Sequence, residues 1–189
     1  MHAIRVIVAL SKVCLALTVP ALWAQEAVTE PSNPAPDAAP LTADGLNERL
    51  RLIDDQVQRS GNSWQLTIGE RPVLVVCDPA SDRMRVMTPV AEAGAIDEAL
   101  AIRMLQANFD AVLDARYAIG NGLIWSVFIH PLASTRDAEL ASAIGQVVVA
   151  ADTFGTTFSS GALMYGGGDS QQEHEELLES LQELLSPSV

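Results

Sequence analysis

Hydrophobic residues recur at helical spacing at the start of the region that we expect to fold. They are separated by four, three and four positions, and they are Leu46, Leu50, Ile53 and Val57. This spacing places them on one face of a helix. Thr42 or Asp44 can provide the N-cap, and Gly61 follows as a stop. The pattern predicts an amphipathic first helix.

The next hydrophobic segments have the period of β-strands. Residues 64–68 alternate apolar and polar side chains, which is typical of a strand with one covered face. Residues 73–77 are continuously apolar and predict a strand covered on both faces. Residues 84–86 alternate with arginines in a third strand, which we expect Pro89 to end. Turn residues separate the three segments, so an antiparallel arrangement is expected.

A second helix is predicted from about residue 95 to residue 108, and it carries two apolar stripes. The first stripe is Ile96, Leu100 and Met104, and the second is Ile102, Leu105 and Phe109. A helix that rests on one sheet needs one such stripe. We therefore expect another surface to cover the second.

A β-hairpin follows, because residues 116–119 and 123–129 are joined by Gly120-Asn121-Gly122, a sequence that tolerates positive φ. Both faces of its second strand are mostly apolar, with Trp125 and Phe128 on opposite sides. We therefore expect this strand to be central in the sheet.

A third helix, capped by Ser134 or Thr135, is predicted by an apolar stripe that ends at Phe154. Gly166-Gly167-Gly168 indicates a Gly-rich linker over residues 166–170, and residues 171–185 predict an acidic helix with leucines on one face. Such a short, glutamate-rich helix is marginal alone. Its leucines must dock on the parent domain, on a second copy or on a basic partner. We expect deletion of residues 170–189 to change association or partner binding and to leave the domain folded.

The elements together predict an α+β fold. The order is α-β-β-β-α-β-β-α over residues 41–165, with an antiparallel sheet and helices in two layers, followed by the appended helix.

The first 24 residues have the pattern of a secretory signal peptide. Arg5 and Lys12 form a positive start, an apolar run ends at Pro20, and Ala24 is a small residue at the expected cleavage position. An uncleaved anchor and a buried core helix are the alternatives. Residues 25–40 are Pro-rich and predict a disordered tether. The expected location is periplasmic or secreted, without a stable membrane anchor after cleavage.

Composition narrows the function classes. The chain has 189 residues, 24 acidic and 11 basic, and a net charge of −13. This length suits one domain, and this charge argues against a nucleic-acid partner. Nine acidic residues and no basic residue follow residue 136. Lys12 is the only lysine, so the cleaved protein has none for Schiff-base chemistry.

No residue constellation indicates catalysis, a metal site or a cofactor. His130 precedes a proline at a strand end and is interpreted as a hydrogen-bonded structural residue. Ser126 lies four residues earlier, roughly 13 Å away along a strand, too far for a direct hydrogen bond. His174 has no second metal ligand three or four residues away. Cys77 ends an apolar strand beside Asp78, which disfavours a thiolate.

Three landmarks in this order of elements carry a resemblance to a known family. They are Met104-Leu105-Gln106-Ala107-Asn108-Phe109, Arg116-Tyr117-Ala118-Ile119 before the hairpin turn, and His130-Pro131-Leu132 before the third helix. With them, residues 42–158 resemble the class I type III secretion chaperone (Tir-chaperone-like) fold and its YbjN-like relatives. The resemblance implies a non-catalytic α+β homodimer that binds partner polypeptides on apolar patches. The signal peptide and the tether depart from that cytoplasmic family, so the fold transfers more safely than the secretion role.

The sequence therefore favours an exported, non-catalytic protein-binding module, either chaperone-like or an adaptor, that forms a homodimer. A periplasmic sensory or regulatory ligand-binding domain is the alternative, and a hydrolase using His130 is a weaker one. The surplus apolar positions are the candidate contacts with a partner or a second copy. They are Leu46, Leu50, Ile53, Ile102, Leu105, Phe109, Trp125, Phe128, Leu177, Leu181 and Leu184.

Overall fold

The computed structural model describes residues 39–110, 112–154 and 171–186. The predicted signal peptide, nearly all of the Pro-rich tether and the Gly-rich linker lie outside these residues. Among the described helices, none has both the length and the apolar character needed to cross a bilayer.

The described residues form four α-helices and six strands. In chain order they are α1 (Ala43–Ile53), β1 (Gln58–Ser60), β2 (Ser63–Ile68), β3 (Arg71–Asp78), β4 (Arg83–Glu92), α2 (Glu98–Asp110), β5 (Arg116–Gly120), β6 (Leu123–His130), α3 (Asp137–Asp152) and α4 (Gln171–Leu185). A short 3-10 turn, Ala93–Ala95, precedes α2.

The strands form one antiparallel sheet in the order β1-β2-β3-β4-β6-β5. The predicted α+β fold is confirmed, and β6 has a strand on each side, as expected of a central strand. The structure adds β1, a strand of three residues that is too short for its side-chain period to be recognised in the sequence.

The core lies between one face of the sheet and helices α1 and α3. The sheet contributes Trp64, Val75, Val86 and Phe128, and the helices contribute Leu46, Leu50, Leu140, Ile144 and Val147. Thr42 is the N-cap of α1, because its hydroxyl accepts a hydrogen bond from the Gly45 N–H at 3.1 Å.

Helix α3 starts later than predicted, and neither Ser134 nor Thr135 caps it. Arg136 occupies the N-cap position. Its backbone N–H donates to the Glu139 carboxylate at 3.0 Å. Thr135 instead donates its hydroxyl to the Pro131 carbonyl at 2.8 Å. The Thr135 hydroxyl, one of the two predicted caps of α3, therefore stabilises the turn that precedes the helix.

Two strand predictions were wrong. Strand β3 is fully covered on one face, whereas Leu74 and Val76 on the other face are only half-buried. Strand β4 continues through Pro89 to Glu92. The Arg71 guanidinium donates to the Pro89 carbonyl, so the nitrogen of Pro89 also faces away from β6. The missing N–H therefore removes no hydrogen bond between β4 and β6.

Asn108 near the end of α2 fixes that helix to β5. Its side-chain carbonyl accepts from the Tyr117 N–H at 2.7 Å, and its amide donates to the Tyr117 carbonyl at 3.2 Å. The Tyr117 hydroxyl in turn donates to the Ala150 carbonyl in α3 at 2.5 Å. The asparagine of the predicted helix-end landmark therefore connects α2, β5 and α3.

Helix α4 docks on its own domain, against α3 and α1. Leu181 and Leu185 join the core with 2% and 4% exposure, whereas Leu184 is 47% exposed. Gly145 of α3 lies under His174. A Cβ atom at Gly145 would come within 3.5 Å of the imidazole. The sequence left three docking partners for α4 open, and the structure shows the parent domain. The expectation that deletion of residues 170–189 leaves the domain folded is therefore wrong, because the deletion would remove Leu181 and Leu185 from the core.

We expect Asn108→Ala to destabilise the domain by about 1–2 kcal/mol, because two hydrogen bonds to Tyr117 are lost. Urea unfolding followed by circular dichroism measures this change. Asn108→Asp keeps the acceptor for the Tyr117 N–H but places a carboxylate oxygen against the Tyr117 carbonyl, so it should also destabilise the domain. Gln106→Ala, at an exposed position on the same helix, is the control. Unchanged stability in Asn108→Ala would contradict the assignment.

The docking of α4 should weaken in mild acid. Burial lowers the pKa of His174 from its ordinary value of 6.5, and the Glu175 charge opposes this shift. Because the pKa is lower in the folded state, the unfolded chain binds the proton first as the pH falls. The His174 contribution is therefore present above that ordinary pKa and is lost below it.

His174→Gln removes the titrating imidazole and leaves all carboxylates of the protein in place. Urea unfolding of both proteins across a pH series measures the difference. The wild type should lose stability relative to His174→Gln as the pH falls. Parallel pH profiles would show that His174 is not buried against α3.

Candidate protein-binding surface

The outward side of α2 is an apolar stripe. Met104 and Ala107 face inward and are buried with Ile124 and Ala150. The second predicted stripe faces outward, and it consists of Ile102 (49% exposed), Leu105 (69%) and Phe109 (62%). We call these three residues the outer stripe of α2. Ile102 and Leu105 are open to solvent, and among the described residues no element covers these two side chains as the sequence predicted.

The second apolar surface is the side of the sheet opposite α1 and α3, which we call the open sheet face. Its larger half-buried or exposed apolar side chains include Leu74, Val76, Met87, Leu123, Trp125, Val127 and Ile129. Register places Leu74, Met87 and Val127 in one row across β3, β4 and β6. The described helices pack their buried residues against the other face.

Arginines accompany the apolar rows of the open sheet face. Arg85 stands between Val76 and Ile129 in register, and Arg116 stands beside Val127. The carboxylates on this face, Asp78 and Glu92, occupy strand ends. The middle of the face is therefore apolar and positively charged, although the chain as a whole has a net charge of −13.

The structure distributes the predicted contact residues over three environments. The core contains Leu46, Leu50, Phe128 and Leu181; half-buried positions contain Ile53, Trp125 and Leu177; exposed positions contain Ile102, Leu105, Phe109 and Leu184. Contact with a partner stays a prediction for the set. In this chain, the exposed members and Trp125 are the ones whose surfaces are open to contact.

Sequence reasoning missed part of the exposed apolar surface. Leu52, Leu113, Ile119 and Ile129 are each at least 45% exposed. Ile129 could have been found, because it alternates with Trp125 and Val127 along β6. Leu113 lies in an irregular segment, where no period reports which side chains are exposed.

His130 is held within its own turn. Its Nδ1 atom is 2.9 Å from the Pro131 carbonyl oxygen and 3.1 Å from the Thr135 hydroxyl. A carbonyl oxygen can only accept, so Nδ1 carries the proton. The imidazole also stacks on the Phe128 ring, with centroids 6.2 Å apart. These contacts support the structural role that the sequence suggested.

Ser126 is fully buried under α3. In register it lies between Thr88 and Tyr117, and its hydroxyl has no hydrogen-bond partner in the described structure. No contact connects it with His130 there. The arrangement provides no serine nucleophile with an adjacent histidine base.

The surroundings of the Cys77 thiol also disfavour reactivity. Burial raises the pKa of the Cys77 thiol, Asp78 raises it further, and Arg59 partly opposes the shift. The thiol form is therefore favoured near neutral pH. Within the described ranges, no three His, Cys, Asp or Glu side chains come together as a metal site would require.

Comparison with solved structures identifies similar folds. The ExsC–ExsE complex matches with a TM-score of 0.51 at 10% identity, covering 65% of this chain and 99% of the matched chain. The HopA1–SchA chaperone–effector complex matches with a TM-score of 0.47 at 14% identity, covering 58% and 88%. The Yersinia pestis type III secretion chaperone SycH, in complex with a stable fragment of YscM2, matches with a TM-score of 0.47 at 14% identity, covering 60% and 99%.

No protein-family profile and no curated protein sequence matches this chain. The match with the ExsC–ExsE complex shows a shared fold. The resemblance to the type III secretion chaperone fold that the sequence predicted is confirmed at this level. In this chain, the fold places α2 at the side of the sheet and leaves the outer stripe of α2 and the open sheet face accessible.

Proposed function

We propose that this protein is an exported, non-catalytic polypeptide-binding module, chaperone-like or an adaptor, that acts as a homodimer. The observation that carries the proposal is the outer stripe of α2. It presents leucine and isoleucine side chains to water on a helix whose other side is packed in the protein. Monomeric proteins rarely leave such a surface uncovered.

A second copy is a fitting cover for this stripe. In a twofold dimer, the same patch of each copy packs against itself, so one helix face supplies both halves of the contact. Burying a leucine or isoleucine side chain contributes about 1.5–3 kcal/mol. The helix also carries few charges on this face, which lowers the desolvation cost of pairing two copies.

A polypeptide partner is supported by the shared fold and by the second apolar surface. One structure of similar fold is a complex of ExsC with ExsE. In this chain the open sheet face would remain available after α2 has paired, because the two surfaces lie on different elements. The contacts of His130, Ser126 and Cys77 favour binding over catalysis.

Export is proposed from the signal-peptide pattern of residues 1–24. The test is the intact mass of the protein recovered from the periplasm of an expressing bacterium. A chain that begins at Gln25 supports the proposal. A full-length chain in the cytoplasm would contradict it and would leave the binding function to be tested separately.

Leu105→Glu should dissociate the dimer, because each copy would place a carboxylate in an apolar contact. Light scattering coupled to size-exclusion chromatography measures the mass. We expect the dimer affinity to fall by at least about tenfold, or about 1.4 kcal/mol. Circular dichroism should be unchanged, since Leu105 is 69% exposed.

Leu52→Glu is the matched control, because Leu52 is also an exposed helical leucine, at 55%, but belongs to α1. It should keep the wild-type mass. A monomeric wild type, or equal dissociation of both variants, would contradict dimerisation through the outer stripe of α2.

A further inference from the structure

The open sheet face has a chemical character that the proposed function does not use. Its apolar side chains form adjacent rows across three strands. The row of Leu74, Met87 and Val127 continues to Arg116 on β5, and the row of Val76 and Ile129 contains Arg85. The face therefore combines apolar rows with the cationic positions Arg85 and Arg116, and a third arginine, Arg83, lies opposite Asp78 at the start of β4.

Arg85 differs from the arginines that hold the fold together. Arg49, Arg59 and Arg71 form ion pairs with Asp137, Asp44 and Asp152. Arg85 is exposed, and no carboxylate of the described chain lies within ion-pair distance of it. Its charge has no evident structural use in the described part of the fold.

Arg116 is held in position at the edge of the same face. Its Nη1 donates to the carbonyls of Leu113 and Ala115 at 2.5 and 2.6 Å. These acceptors are neutral carbonyl oxygens, and no described carboxylate forms an ion pair with this guanidinium. The side chain is already ordered before any partner arrives, which lowers the entropy cost of pairing it.

We propose that the open sheet face binds a polypeptide segment whose apolar residues are flanked by aspartate or glutamate. The inference rests on the proposed polypeptide-binding function and specifies the partner chemistry. An apolar segment lying on the rows would cover Arg85 and Arg116, and a covered guanidinium needs a carboxylate partner. A guanidinium–carboxylate pair can form two parallel hydrogen bonds, which also fixes the orientation of the segment.

The net charge of the protein sharpens this specificity. A basic segment would be attracted to the acidic surface in general, whereas an acidic segment is repelled there. Salt screens these interactions beyond about 10 Å. An acidic segment therefore binds only where the two arginines are close to it, and the apolar rows supply most of its affinity.

The test uses synthetic peptides of about 12 residues, which span roughly 40 Å when extended. The same apolar sequences are made in three sets: an acidic set with flanking Asp and Glu, a neutral set with flanking Ser and Gln, and a basic set with flanking Arg and Lys. Fluorescence anisotropy measures the binding of these peptides to the mature protein, which begins at Gln25. We expect the acidic set to bind about tenfold more tightly than the neutral set.

The double variant R85E/R116E should lose this preference and favour the basic set. The double variant R51E/R136E is the matched control, because both arginines are exposed, lie away from the sheet face, and change the net charge equally. It should keep the acidic preference. Circular dichroism and thermal unfolding establish that all proteins are folded.

The outcomes separate this inference from the proposed function. Wild-type preference for neutral or basic peptides, or an acidic preference that R85E/R116E retains, overturns the inference and leaves polypeptide binding standing. A change of oligomeric mass in R85E/R116E without peptide binding also overturns it and assigns the face to a second copy. If the wild type binds no peptide of any set, the inference fails together with the polypeptide-binding function.

Discussion

Helix α3 is apolar around nearly its whole circumference, and the fold depends on covering it from two directions. Between Leu140 and Ala151, every residue except Ser142 is buried. A helix resting on the surface of a sheet needs only one apolar stripe, so this composition requires a second cover. The sheet provides the first and α4 the second, through Leu181 and Leu185. The acidic helix is thus part of the folded unit, and its glutamates are the outer surface of that cover.

Some elements of this fold were predictable from the sequence, and others were not. Helices α1 and α4 were recognisable because apolar residues recur at a strict helical spacing in each, although α1 ends at Ile53 and Val57, predicted to continue it, lies outside the helix. The hairpin of β5 and β6 was recognisable from Asn121, which has a φ of 51° in the structure, between two glycines. The boundaries were less predictable. Pro89 lies inside β4 because its nitrogen faces away from β6, on the side of β3, whose pairing with β4 ends at Met87. That arrangement depends on which strands are neighbours.

The candidate surface was predictable in part, again from the regular spacing of apolar residues. The outer stripe of α2 follows from counting apolar positions on one helix, and the structure leaves it exposed. Leu46 and Leu50 show an equally clear helical stripe, yet they are fully buried. A period identifies a face, but only the packing of other elements decides whether that face meets the core or water. The open sheet face needed more still, because its rows join strands that are not consecutive in the chain.

The pairing of Asn108 with Tyr117 has a consequence for how copies of this protein meet. An edge strand offers unpaired N–H and C=O groups to any other extended chain, and this is a common start of aggregation. The Asn108 amide occupies both groups of Tyr117, in the middle of β5. The opposite edge, β1, has only three residues. Growth into a continuous sheet is therefore disfavoured at Tyr117 and at the short strand β1, and contacts between the faces of two copies meet less competition from these edges.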